Sequence, residues 1–238
     1  MSKVIAIFGA GGGLGLAVAR RFGREGFRVA LVARRPGRLD ALVGQLTAEG
    51  IDAAAFPADL NAPAQAAAVI TAIREHFGRV DVIEYGPISG DQGFIPATGV
   101  DAKSLQDLIP LLLLSPVEVI QAVLPEWIGR GDGAFLLTQG ATAVQGIPYL
   151  SGLGPVMAAA RNYVYSLHGE LAQRGIYAGT LSIGAMISGS EMAEAVTGSL
   201  PDSSAVFPVA DPNDLAEAYW DLYTQRDRAE QIYPVPEA

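Results

Sequence analysis

The segment that most constrains this chain is FGAGGGLGLAVA, residues 8–19. Before it stands KVIAIFG (3–9), a continuous apolar run of the kind a parallel strand needs when both faces of its sheet are covered. After it, Leu14, Val18 and Phe22 recur at helical spacing. Gly9, Gly13 and Gly15 thus form a G-x-x-x-G-x-G turn between a strand and a helix. A phosphate-binding turn of this kind must bend sharply, bring its backbone against the ligand and leave the helix N-terminus facing the negative charge. A Cβ at Gly13 or Gly15 would block that approach. The pattern predicts a dinucleotide site built on Gly9, Gly13, Leu14 and Gly15; the alternative is a Gly-rich turn with no ligand.

The rest of the chain repeats the same unit. FRVALVA (27–33) reads as a second strand, followed by a helix that stops at Gly50, and IDAAAFPADL (51–60) as a third. A helix with Pro63 in its first turn ends before Gly78, and VDVIEYG (80–86) is a fourth strand. A Gly- and Pro-rich loop covers 86–99. A long apolar helix then spans about 103–128, interrupted or kinked at Pro110 and Pro116. AFLLTQG (134–140), a helix over 152–173, and YAGTLSIGA (177–185) follow. Asp211 caps a last helix whose first residue is Pro212, and QIYP (231–234) is a short final strand. Alternating strands and helices predict an α/β protein, a single-domain Rossmann-type doubly wound parallel sheet over 1–238 with helices on both faces. Ligands then bind outside the carboxyl ends of the strands. Residues 189–209, with Gly, Ser and Pro but little periodicity, read as a substrate lid.

Composition removes several classes of function. A net charge of -9 argues against nucleic-acid binding and, more weakly, against an anionic membrane surface. There are no cysteines and only two histidines, His76 and His168, so no metal site is expected. The apolar stretch LIPLLLLSP (108–116) reads as too short to span a bilayer, and the N-terminus lacks the basic region and cleavage site of a signal peptide. A cytoplasmic protein with a small-molecule substrate is the expectation.

The end of the second strand bears on the choice of cofactor. An acid there would suit the ribose hydroxyls of NAD; here Ala33 precedes Arg34 and Arg35. A guanidinium pairs bidentately with a 2′-phosphate, so NADP(H) is expected over NAD(H). Asp59, beside Leu60, stands at the same edge of the sheet and could accept from an adenine amino group or serve as a turn carboxylate.

These residues resemble the short-chain dehydrogenase/reductase family. GAGGGLG (9–15) resembles its cofactor loop, ADL (58–60) its adenine-contacting Asp, and QAVLPEW (121–127) and HGELAQRGI (168–176) its two long helices. The resemblance covers essentially the whole chain. It implies NADP(H) binding with Leu60 and Ser188 (in IGAMIS, 183–188) as further contacts, and a homodimer or homotetramer formed through the 103–128 and 152–173 helices.

The chemistry of that family rests on Asn, Ser, Tyr and Lys. Counting from the matching segments places those four positions at Leu112, Gly140, Leu153 and Met157. No Lys follows Lys103, so a shifted Tyr-x-x-x-Lys pair is excluded. The chain reads as an atypical member whose four apolar or Gly positions border the substrate cleft. Tyr149, Ser151 and Tyr85 are candidate proton donors, each with a packing or turn role as the alternative. An acid such as Glu84 or Asp91 could hold a cationic group in that cleft. Three functions compete: an NADP(H)-dependent reductase of a small carbonyl, imine or other activated electrophile; a non-redox isomerase or cyclase; and a nicotinamide-cofactor-binding protein without catalysis.

Overall fold

The structure, a computed structural model, describes residues 2–88, 94–194 and 208–234. Seven parallel strands form one sheet in the order β3-β2-β1-β4-β5-β6-β9. These are β1 (Val4–Phe8), β2 (Arg28–Ala33), β3 (Ala53–Pro57), β4 (Val82–Tyr85), β5 (Gly133–Gly140), β6 (Ile176–Ile183) and β9 (Glu230–Tyr233). All five residues of β1 are buried, as the unbroken apolar run demands of a strand at the centre of a covered sheet.

Alternation sends successive side chains to opposite layers. Ile5 and Ile7 pack with α1 (Leu14–Arg24), α2 (Pro36–Ala48) and α8 (Pro212–Gln225). Val4, Ala6 and Phe8 pack with α3 (Pro63–Phe77), α5 (Ser115–Arg130) and α6 (Gly154–Leu171). Each fully buried Val, Leu, Ile or Phe contributes about 1.5–3 kcal/mol relative to exposure. The chain winds outward in both directions from β1, which pairs β2 on one side and β4 on the other. The crevice between the carboxyl ends of β1 and β4 is therefore the switch point of the sheet.

The long apolar helix differs from expectation. It runs unbroken from Ala102 to Arg130, as α4 (Ala102–Ile109), a π-helical turn (Pro110–Leu114) and α5. Pro110 lacks an N–H, and the wider turn absorbs the missing bond instead of ending the helix. Pro116, the second residue of α5, also lacks an N–H inside this continuous helix, and the π turn just before it, closed by the Ser115 amide donating to the Pro110 carbonyl, accommodates it. An 18-residue window within its 29 residues has a mean hydropathy of 1.9, so this helix is long and apolar enough to cross a membrane by length and composition, which corrects the shorter reading of 108–116. Within the fold it packs through Val119, Ile120, Val123 and Trp127. The Trp127 indole donates to the Val80 carbonyl at 2.8 Å, and Glu126 pairs with Arg74 on α3 at 2.7 Å.

At the far edge, Glu230 on β9 accepts from Arg161 and Tyr165 on α6 and from Ser182 on β6. His168 places Nδ1 2.9 Å from the Ala178 carbonyl and its ring against Tyr177, tying α6 to the sheet. The segment expected to be a lid is pinned at both ends by β7 (Met186–Ile187) and β8 (Val209–Ala210), which pair in parallel. It is helical at 191–194 (α7), and 195–207 lie outside the described residues.

Candidate functional site

A cleft of about 790 Å³ opens at the carboxyl ends of β1, β2, β4 and β5. One wall is the glycine turn. The Gly9 and Ala10 amides both donate to the Val32 carbonyl, at 2.9 and 3.1 Å, which folds the chain back at the end of β1. Gly9 has φ +93°, and a Cβ there would stand 2.5 Å from the Pro87 Cα. Gly15 brings α1 against the turn, since its Cβ would lie 3.1 Å from the Ala10 Cα. Gly11 and Gly12 face open space. The N-terminus of α1 has no side-chain cap and no acidic residue in its first turn. Its Leu16 amide donates to the Gly11 carbonyl at 3.0 Å, which leaves the Leu14 and Gly15 amides and the positive end of the helix dipole to meet an anion.

Three arginines line one end of this cleft: Arg34, Arg35 and Arg38. Arg35 is the N-cap residue of α2 and Arg38 lies one turn further on. Both guanidinium groups pair with the Glu191 carboxylate on α7, across the cleft. Leu60 and Asn61 line the same region. The Asp59 carboxylate accepts from the Asn61 amide at 3.0 Å and from its Nδ2 at 3.3 Å, so Asp59 holds Asn61 in place and does not itself line the cleft.

The other end carries a different chemistry. Glu84, on β4, and Thr138, on β5, line the cleft floor. Glu84 is 2% exposed. Its Oε1 accepts from the Thr138 hydroxyl, whose oxygen is in turn 2.5 Å from the Tyr219 hydroxyl on α8. Burial pushes the Glu84 carboxyl up to about 7, against a smaller opposite pull from the Thr138 hydrogen bond. A carboxyl that is half protonated near neutral pH can hold or release a proton at Oε2, which has no partner among the described residues.

Of the residues named from sequence, Gly9, Gly13, Leu14, Gly15, Arg34, Arg35 and Leu60 come together in this cleft. Ser188 does not line it; its amide donates to the Ala210 carbonyl at 3.0 Å, while its neighbours Ile187 and Gly189 do line it. The candidate proton donors fall elsewhere. Tyr85 is buried beneath the sheet, and its hydroxyl donates to the Leu111 carbonyl at 2.6 Å in the π turn. Burial raises its pKa far above the ordinary phenol range. Tyr149 is 76% exposed at φ 68° on a loop, away from the cleft lining. Ser151 is also outside that lining, its amide tied to the Ile95 carbonyl at 2.8 Å.

The four positions expected around the cleft lie behind its lining. Leu112, Leu153 and Met157 are buried in the α3–α5–α6 core, and Met157 leans on β5, its sulfur 3.5 Å from the Gly140 amide. None of the four lines the cleft. Asp91 lies outside the described residues. Arg38, Glu191, Thr138 and Tyr219 are the members that sequence reading missed. Arg38, three residues after Arg35 behind a helix-starting Pro36, carried a legible signal of shared helical face.

A parallel sheet with an uncapped glycine turn at its switch point and clustered arginines beyond β2 defines a Rossmann-type nucleotide-binding protein. Residues 3–198 match the short chain dehydrogenase family, and the chain belongs to that family of oxidoreductases. It is 32% identical over 123 residues to the uncharacterized oxidoreductase YxjF of Bacillus subtilis, an overlap of 52% of this chain and 47% of that protein. It is 26% identical over 196 residues to the uncharacterized oxidoreductase Lmo0432 of Listeria monocytogenes, 82% of this chain and 78% of the relative. Among solved structures, a variant of actinorhodin polyketide ketoreductase with NADPH superposes with a TM-score of 0.86 at 22% identity, covering 98% of this chain and 95% of that one. A short chain oxidoreductase of Pseudomonas aeruginosa PAO1, described as containing an atypical catalytic center, superposes equally well, at 0.86 and 19% identity over 99% and 98% of the two chains.

Proposed function

We propose that the protein is an NADP(H)-dependent reductase of a small carbonyl, imine or other activated electrophile that works without a Tyr–Lys acid/base pair. The carrying observation is one cleft with a phosphate cradle at the glycine turn, three arginines at one end and the buried Glu84 carboxyl at the other. The bound nicotinamide nucleotide would supply the hydride. Gly11, Gly12 and the α1 N-terminus fit its pyrophosphate, and Arg34, Arg35 and Arg38 fit a 2′-phosphate once Glu191 yields its place. NADPH-bound structural neighbours such as the ketoreductase support that choice of nucleotide.

No phenol and no ammonium group lines the cleft among the described residues. A well-placed proton donor contributes about 10²–10⁴-fold to turnover. Substrates that need little protonation, such as an iminium or an activated ketone, therefore suit this site best. The same observation favours a second reading, a nucleotide-binding protein with no turnover. Incubation of the protein with NADPH and a panel of ketones, aldehydes and cyclic imines separates the two. Oxidation of NADPH by a panel member supports the reductase; tight binding with no turnover across the panel supports the second reading.

Assembly is proposed to be homo-oligomeric. Leu114 and Ile128 on the 102–130 helix and Tyr165 on α6 are exposed apolar or aromatic side chains, on the helices expected to pair.

A further inference from the structure

The α8 side of the sheet holds a buried carboxyl with no cation near it among the described residues. Glu84 is flanked in register by Ile7 of β1 and Leu136 of β5. From β5, Thr138 donates to it, and from α8, Tyr219 closes the chain of hydroxyls. None of these neighbours is an Arg, Lys or His. The other carboxylates lining the cleft are spoken for or lie at its surface: Glu191 pairs with Arg35 and Arg38, Asp107 pairs with Lys103 at 2.8 Å, and Glu194 is exposed. Glu84 thus lines a ligand cleft as a nine-tenths buried acid with one oxygen unpartnered by the described residues.

Dinucleotides lie across the switch point of such sheets, one nucleoside on each side. The arginines beyond β2 mark the side for the 2′-phosphate, which leaves the floor over β4 and β5 for the redox ring. That ring is uncharged when reduced and cationic when oxidised. We infer that Glu84 couples protonation to the redox state of the bound nucleotide, standing as a carboxylic acid with the reduced form and as a carboxylate with the oxidised form. The inference rests on the NADP(H) reading. A buried carboxylate at Glu84 has no counter-charge among the described residues, and the oxidised ring provides one; the reduced ring does not. Binding of the oxidised nucleotide therefore releases a proton that binding of the reduced nucleotide leaves in place. Because the carboxyl of the ligand-free protein titrates near neutrality, the effect falls in the physiological range.

Calorimetric titration of NADP⁺ and NADPH between pH 5.5 and 8.5 tests this by affinity, independent of turnover. An opposite charge close by moves a carboxyl by about one pH unit or more, so the ratio Kd(NADPH)/Kd(NADP⁺) should rise roughly tenfold or more across the range. The 2′-phosphate titrates in both forms and cancels in the ratio. Glu84→Gln should make the ratio flat. Thr138→Val, which removes a hydrogen bond to the ionised form, should move the midpoint to higher pH and keeps the test open if the Gln variant fails to fold. A flat ratio in the unmodified protein, or a slope retained in Glu84→Gln, overturns this inference alone. Failure of both nucleotides to bind at any pH overturns the cofactor reading and this inference with it.

Discussion

Glu84→Gln should change the pH dependence of stability as well as of binding. The unfolded chain releases this proton near the ordinary 4.5, whereas burial in the fold holds it to about 7. Below about pH 4.5 both states are protonated and the carboxyl carries its full relative stabilisation. Between 4.5 and 7 unfolding releases a proton, so rising pH favours the unfolded state. Above 7 the native protein carries a buried carboxylate, and the loss is complete. At roughly 1.4 kcal/mol per pH unit, the total is about 3 kcal/mol. A Gln at this position can still accept from Thr138 but does not titrate. The stability of the variant minus that of the unmodified protein should therefore rise by about 3 kcal/mol from pH 4.5 to pH 8. For a chain of this length that is roughly 6–12 °C in Tm. Paired urea denaturation at both pH values reads it directly. A difference that stays constant within about 1 kcal/mol would refute the claim that a desolvated carboxyl sits at the cleft floor.

Other perturbations follow from the same geometry. Arg35→Ala combined with Arg38→Ala should weaken NADPH about tenfold or more with little effect on NADH, since charge-assisted bonds to the 2′-phosphate are lost. Glu191→Gln should tighten NADPH several-fold, because the arginines no longer carry an internal carboxylate; equal affinity in the variant would show that this pairing does not compete. Tyr149→Phe and Ser151→Ala should leave nucleotide affinity and any turnover within about twofold, whereas Tyr85→Phe should cost about 1–3 kcal/mol by leaving the Leu111 carbonyl without its donor, read by thermal denaturation. Gly9→Ala combines a left-handed φ with a 2.5 Å approach to the Pro87 Cα, and should lose more than about 2 kcal/mol of stability together with nucleotide binding.

The order of strands and helices was legible because apolar runs and Gly or Pro boundaries coincide with it, from Val4–Phe8 through Pro212. The helix over 102–130 was expected to be interrupted or kinked at Pro110 and Pro116; a π turn does begin at Pro110, but no sequence rule shows that such a turn will carry the helix on. Glu84 and Tyr85 were both offered to the cleft, yet adjacent strand residues face opposite layers. Glu84 faces the α8 side and lines the cleft, whereas Tyr85 faces the α5 side and spends its hydroxyl on the Leu111 carbonyl. The partners of the site were hidden by distance along the chain: Glu191 is 156 residues from Arg35, Thr138 is 54 from Glu84 and Tyr219 a further 81 from Thr138. Leu153 and Met157 were expected to border the cleft because of the positions they hold on α6. They are 4% and 6% exposed instead, packed into the core that large apolar side chains seek.

The central claim is that the glycine turn and the arginine cluster form a site for NADP(H). Fluorescence or calorimetric titration with NADPH and NADH, at fixed salt, tests it most directly. NADPH should bind saturably and 1:1, tighter than NADH by about tenfold and more weakly as ionic strength rises. No binding of either nucleotide, or a clear preference for NADH that Arg35→Ala leaves unchanged, would contradict it.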